Sequence, residues 1–235
     1  MEDVQTTVCV PLKSYVTTSS GNKWKAVSAI GEGMYGTVWQ ACLNDQECQY
    51  VLKYMPFKSS LDPRSIEDIK KEIEIQQAIS KFDLAIPVID SWFCEDGGVL
   101  VMRSLKKTVS ALLEEYKTIK VRLMILGECL GLIAKLHRYQ YYHGDLHLSN
   151  IMVNYTEPAN VAKTSKNEYS KYKSHNYKYY LIDFGFAGNF PDFSQIRNDY
   201  RIMLESILDE SERDESLSPL YAFLRSYVDT FYSEA

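Results

Sequence analysis

The sequence predicts an α+β fold in two lobes: a small β-rich first lobe with one helix, and a reduced, mainly helical second lobe. Three observations lead there. Between Lys23 and Met102, short runs rich in Val, Tyr and Trp are punctuated by glycines and turns. Within that stretch, one window after Ser65 spaces its isoleucines as a helix would. Beyond Leu105 the breakers thin out and longer runs take helical spacing. The boundaries that follow are a loose Thr- and Ser-rich lead-in over 1–22, a first lobe over 23–104 and a second over 105–235, with a polar insert at 155–180.

Each element has its own reason. Lys23 to Val38 is strand-like and broken by Gly31, Gly33 and Gly36. Gln49 to Met55 is a second strand, which Pro56 ends. Ser65 is placed to cap a helix running to about Lys81, with Ile66, Ile69 and Ile73 along one side. Ile86 to Phe93 and Gly98 to Met102 read as strands around a turn at Asp96, Gly97 and Gly98. Val109 to Tyr116 and Val121 to Arg138 read as helices, the longer one apolar on most sides. A short apolar run at Ile151 to Val153 and a strand at Tyr179 to Ile182 flank the insert. Helices are expected at Tyr200 to Leu208 and Leu220 to Phe231, with an acidic loop at 209–215 between them.

Composition narrows the function classes. Hydrophobic residues make up 46% and charged residues 24%, which excludes collagen, coiled-coil rods and wholesale disorder. The net charge of −5 argues against nucleic acid as the main partner. The insert, with five lysines and several tyrosines, is the one place left for it, or for an acidic protein partner. The most apolar stretch, Val121 to Leu136, is too short and too charged to cross a membrane. Five scattered cysteines without a C-x-x-C read as reduced thiols, and therefore as a cytoplasmic compartment.

Four places carry chemistry. Ile30 to Val38 holds Gly31, Gly33 and Gly36, whose backbone can turn tightly and approach phosphate oxygens. The β-branched and aromatic run after it favours a strand–loop–strand hairpin over a dinucleotide-binding turn; an ordinary glycine-rich turn is the plain alternative. Lys53 lies inside an apolar strand, where an unpaired ammonium is costly, so it points to a phosphate or a carboxylate unless the strand exposes it. Of the two nearby helix carboxylates, Glu72 follows Ile69 at i+3 and falls nearer the apolar stripe than Glu74. In His143-Gly144-Asp145-Leu146-His147-Leu148-Ser149-Asn150, Asp145 can accept a hydroxyl proton and Asn150 can offer oxygen to a hard cation. Asp183, in Leu181-Ile182-Asp183-Phe184-Gly185, ends an apolar strand and suits Mg²⁺.

In this order, from about Trp24 to Leu208, these motifs resemble the protein-kinase-like superfamily. The glycine loop, the strand lysine in Tyr50-Val51-Leu52-Lys53, Glu72 in Glu72-Ile73-Glu74-Ile75, the H-x-D-x-x-x-x-N loop and D-F-G all have counterparts. The resemblance implies ATP and Mg²⁺. Lys53 and Glu72 would serve the α/β-phosphates, Asn150 and Asp183 the metal, and Asp145 the acceptor hydroxyl. Ile30, Val38, Val51, Met102 and Met152 would line the adenine slot, with Arg103 to Leu105 as the hinge. Asp199 resembles the aspartate that opens the buried helix of the second lobe. Two departures stand out: Gly144 occupies the usual arginine position, and His147 a position many serine/threonine kinases give to lysine. H-G-D-L-H is similar to aminoglycoside- and choline-type phosphotransferases. The short reach from Asp183 to Asp199, 16 positions, is similar to the small atypical kinase of the KEOPS complex. The implied activity is phosphoryl transfer from ATP, first to protein serine or threonine. A small-molecule kinase, or an ATP-binding scaffold or ATPase-like regulator, are the alternatives. A protein substrate and a regulatory protein partner are the implied partners.

Overall fold

A computed structural model of the chain describes residues 5–6, 9–12, 14–33, 36–44, 46–57, 64–156, 167–213, 218–219, 222 and 226. The chain divides into two compact units, Met1–Ser104 and Leu105–Ala235.

Among its described residues, the first unit is a seven-stranded sheet with one helix. Its elements are β1 (Gln5–Thr6), β2 (Val16–Thr17), β3 (Lys23–Gly33), β4 (Gly36–Leu43), β5 (Glu47–Pro56), α1 (Ile66–Ser80), β6 (Val88–Cys94) and β7 (Gly97–Arg103). The sheet order is β1-β6-β7-β5-β4-β3-β2. Residues opposite each other in a ladder share a face, so the register decides what meets what. Val38 sits opposite both Gly31 and Lys53, and Val51 sits opposite Met102. These five positions therefore share one face. On the other, Val16, Trp24, Ala41, Tyr50, Leu52, Trp92, Val99 and Val101 form a buried apolar cluster.

Ser65 caps α1 with a reciprocal pair, its hydroxyl accepting from the Asp68 amide and the Asp68 carboxylate accepting from the Ser65 amide. Ile69, Glu72, Ile73, Gln76 and Ile79 of α1 are buried, at the 3–4 spacing the sequence shows. Gly97 and Gly98, expected in the turn, belong to β7 instead. A side chain at Gly98 would run into Ile69 of α1 and Phe93, and one at Gly97 into the Met55 carbonyl of β5, so close packing explains both glycines.

The lead-in expected over 1–22 joins the sheet. β1 pairs with β6 and β2 with β3. Asp90 fastens the same segment: its Oδ2 accepts from Thr18 Oγ1 (2.6 Å), Ser20 Oγ (2.9 Å), Asn22 Nδ2 (3.0 Å) and Trp24 Nε1 (2.8 Å). The expectation of reduced thiols is corrected as well. Disulfides join Cys9 to Cys94 and Cys42 to Cys48, leaving Cys129 free and buried. The spacing gave no sign of them, because pairing comes from strand neighbours that lie 85 and 6 positions apart. The compartment argument built on reduced thiols loses its premise. Among the described residues, no helix is long and apolar enough to cross a membrane.

The second unit contains β8 (Lys107–Thr108), α2 (Val109–Glu115), α3 (Ile119–Arg138), β9 (Tyr141–Tyr142), a 3-10 turn (Leu148–Asn150), β10 (Ile151–Thr156), α4 (Glu168–Ser174), β11 (Asn176–Leu181), β12 (Gly188–Asn189) and α5 (Phe193–Arg213). α3 buries Val121, Ile125, Leu126, Cys129, Leu132, Ile133 and Leu136, while Leu123 is exposed. Arg122 is buried too, and donates to the carbonyls of Tyr116 (2.6 Å) and Leu113 (3.3 Å) at the end of α2. α5 runs through Asp209, Glu210 and Glu212, where an acidic loop was expected. The helix expected at 220–231 lies mainly outside the described residues.

The polar insert is built around a hairpin. β10 and β11 pair from Ile151↔Leu181 to Thr156↔Asn176, longer than the apolar runs suggest. Tyrosines explain the extension. Tyr172 stacks on Tyr177 with centroids 4.7 Å apart, and Tyr172 and Tyr116 share hydroxyl hydrogen bonds with Tyr179 (2.7 Å) and Tyr177 (2.8 Å). Glu168 accepts from the amides of Lys117 (3.0 Å) and Thr118 (2.7 Å), at the start of α3, where Thr118 makes no side-chain cap of its own. Hydrogen bonds from Thr118, through side chain and amide, and from Lys117 hold the Glu168 carboxyl below its ordinary value. A lowered carboxyl stabilises the fold above its unfolded value, near 4.5, and that contribution drains away as pH falls through the folded one. Glu168→Gln is expected to cost about 1 kcal/mol at neutral pH, as for a lost helix cap. Urea unfolding at pH 7 should show the deficit, and it should shrink on acidification. Equal midpoints at pH 7 would remove Glu168 from this role.

Candidate active site

The first unit positions the nucleotide-type residues. β3 and β4 form a hairpin with Gly33 opposite Gly36, so the glycine segment joins two strands and opens no helix. The tip, residues 34 and 35, lies outside the described residues. Gly36 has φ +146°, and a Cβ there would collide with the Tyr54 carbonyl. Ile30 is exposed, Val38 and Val51 are half-buried, and Met102 is buried. Lys53 is buried, and its Nζ lies 2.7 Å from Glu72 Oε1. Glu74 is exposed, so the structure brings together the pair that the i+3 spacing favoured.

One partner escaped the sequence. The Arg64 guanidinium stands 2.7 Å from Glu72 Oε2. This is an ion pair by distance, although the oxygen accepts no well-angled hydrogen bond among the described residues. No periodicity singles out an arginine just ahead of a helix cap.

The second unit builds the loop around Asp145 from below. Asp199, fully buried in α5, accepts from the His143 amide (2.9 Å), the Gly144 amide (2.8 Å) and His137 Nε2 (2.9 Å). Further along α5, Ser206 Oγ accepts from the Leu148 amide at 3.0 Å. Burial pushes the His143 imidazole below its ordinary value, so it is neutral. Its Nε2 donates to the Ile182 carbonyl at 2.9 Å, tying the Asp145 loop to the strand end before Asp183. Phe184 is buried and packs against the same ring, with centroids 5.2 Å apart.

Gly144 now has a physical reason. Its φ is +81°, and a Cβ would fall 2.6 Å from the Phe186 carbonyl oxygen. The backbone conformation that presents its amide to Asp199 excludes a side chain.

Asn150 and Asp183 flank the paired strand ends. Asn150 directly precedes β10, Asp183 follows β11 after one intervening residue, and the Ile182 amide donates to the Asn150 carbonyl at 3.0 Å. Asp183 takes φ +64°, a conformation few non-glycine residues adopt and one that gathers at functional sites. Asn150 Nδ2 donates to the Asp145 carbonyl (2.9 Å) and to Asp145 Oδ2 (3.3 Å). Its amide hydrogens are thus engaged within the loop, which leaves the amide oxygen for a cation. One amide oxygen and one carboxylate are hard donors that fit Mg²⁺, which takes its remaining ligands from water and phosphate. His147 Nε2 lies 3.7 Å from Asp145 Oδ2. Of the remaining sites, Met152 lies in β10 and Leu105 just ahead of β8, both half-buried.

Comparison with known proteins agrees with this arrangement. The protein kinase domain profile matches residues 24–203. The serine/threonine-protein kinase hippo of Drosophila melanogaster is 29% identical over 180 residues, covering 72% of this chain and 22% of that protein. The chain thus spans about a fifth of that relative's length. The likeness to the KEOPS kinase rests on motifs alone. Since the profile runs through the glycine hairpin, the Lys53–Glu72 pair, the Asp145 loop and Asp183, the chain belongs to the protein kinase family.

Proposed function

We propose that this chain transfers the γ-phosphoryl group of ATP to a serine or threonine hydroxyl of a protein substrate. The observation that carries the proposal is the buried Lys53–Glu72 ion pair, a costly arrangement that suits a lysine held ready for phosphate. The serine/threonine kinase that it resembles supports the acceptor class.

The residues divide the work. Backbone amides of Gly31, Gly33 and Gly36 cover the phosphates, and Ile30, Val38, Val51, Met102, Leu105 and Met152 favour the adenine ring. Lys53 donates to the α/β-phosphates while Glu72 holds its ammonium in place. Asn150 and Asp183 would hold Mg²⁺, which when bound would neutralise phosphate charge. Asp145 orients the acceptor hydroxyl and takes its proton. Most of the rate gain in such a site is positioning and charge stabilisation. Gly144 has no guanidinium to meet an activation-loop phosphate, so the loop geometry held by Asp199 stands without one.

His147 beside Asp145 favours a second reading, a small-molecule acceptor. γ-Labelled ATP with Mg²⁺, offered to a mixed protein panel and to a metabolite panel, separates the two. Label on protein serine or threonine is expected; label on metabolites alone supports the second reading. Lys53→Met should lower transfer roughly 10²-fold or more with the far-ultraviolet dichroism unchanged. Wild-type turnover in that variant removes Lys53 from the site.

A further inference from the structure

The first unit holds a buried cluster of unusual charge. Glu72 is 1% exposed and lies 2.7 Å from two cations at once, Lys53 on Oε1 and Arg64 on Oε2. Arg64 is itself 8% exposed. The Glu72 carboxylate is thus shared between two positive charges. A Lys53–Glu72 pair alone would be neutral, and much of the lysine's field would be spent on its own carboxylate.

Arg64 is held by its backbone as well. Its amide donates to the Phe57 carbonyl at 3.1 Å, closing the segment between β5 and α1, and the Ser65 capping box follows at once. Its Nη1 is buried and has no hydrogen-bond partner among the described residues. Buried donors are nearly always satisfied, so an orphan beside a carboxylate is a cost retained for a reason.

We infer that Arg64 is a positioning residue. It anchors and partly neutralises Glu72 through Oε2, so that the carboxylate stays oriented and draws less on the Lys53 ammonium when an anionic ligand binds. The role of that ligand as Mg-ATP rests on the kinase reading above. Arg64 touches neither nucleotide nor acceptor in this assignment and acts through Glu72. Lysine could supply the charge but not the planar fork, so it should substitute only in part.

A double-mutant cycle tests this. Mg-ATP affinity by calorimetry, kcat and KM for Mg-ATP, and unfolding midpoints are measured for the wild type, Arg64→Met, Glu72→Gln and the double variant. Arg64→Met should weaken Mg-ATP affinity and kcat/KM by roughly tenfold, and Arg64→Lys should regain part of the loss. In the Glu72→Gln background, removing Arg64 should cost less than about twofold more. If Arg64→Met does not fold, Arg64→Gln, which keeps a polar group and drops the charge, takes its place in the cycle. Full multiplication of the two losses overturns the proposal. So does a lower unfolding midpoint with unchanged kcat/KM, which would mark Arg64 as structural only. A wild-type chain with no affinity for Mg-ATP overturns the kinase reading and this proposal with it. A wild type that binds and transfers beside an unaffected Arg64→Met chain overturns the proposal alone.

Discussion

Asp145→Asn is expected to lower phosphoryl transfer by roughly 10²-fold or more while leaving Mg-ATP affinity within a few-fold. The substitution keeps an oxygen where Asn150 Nδ2 donates to Oδ2 at 3.3 Å, so the loop geometry survives. In the proposed reaction it removes the basic oxygen that would take the acceptor's proton, a group the nucleotide complex would not use. Asp183→Ala should behave differently, weakening Mg-ATP binding and abolishing transfer together, because in the proposed reaction its carboxylate would act as soon as the metal-bound nucleotide arrives. Calorimetry with single-turnover transfer measures both quantities for each variant. Wild-type transfer by Asp145→Asn would mean that this is not the loop where phosphate moves.

The second large effect is structural and sits beneath that loop. Asp199 is fully buried and satisfies three donors, the amides of His143 and Gly144 and the ring of His137. Asp199→Ala strands all three. The loss should reach about 3–5 kcal/mol, the range for removing one partner of a buried ionic network. Urea unfolding measures it, and the fraction that stays folded should have lost transfer as well, because Asp145 sits between anchored residues. A loss below about 1 kcal/mol would show that the loop is held by something other than this carboxylate.

Much of this was legible in the chain, for identifiable reasons. Glu72 could be preferred over Glu74 because helical spacing places it three residues from Ile69, and burial follows spacing. The Ser65 cap could be read because capping depends on neighbours three positions away. The order of Lys53, Asp145, Asn150 and Asp183 could be read because short loops and paired strand ends fix these residues locally. What stayed hidden depends on tertiary neighbours. Gly144 stood out as a departure, but its cause, the nearness of Phe186 and the pull of Asp199, lies 42 and 55 positions along the chain. Arg64 carried no signal at all, since its importance comes from a carboxylate two helical turns away. The tyrosines of the insert looked like a solvated tract, because hydroxyl-to-hydroxyl pairing of Tyr172 with Tyr179 leaves no hydrophobic period.

The attachment of the N-terminal segment has a consequence for the order of folding. β1 needs β6, and Cys9 needs Cys94, 85 positions later. During synthesis this segment must wait until nearly the whole first unit has been made, while the β3–β4 hairpin can close as soon as it emerges. Closing so long a loop is entropically slow. Once the cystine forms, the same loop is denied to the unfolded chain, a bias of roughly 4 kcal/mol toward the native state in the chain-entropy account. The strand that must wait longest for its partner is therefore also the one that, once oxidised, is hardest to release.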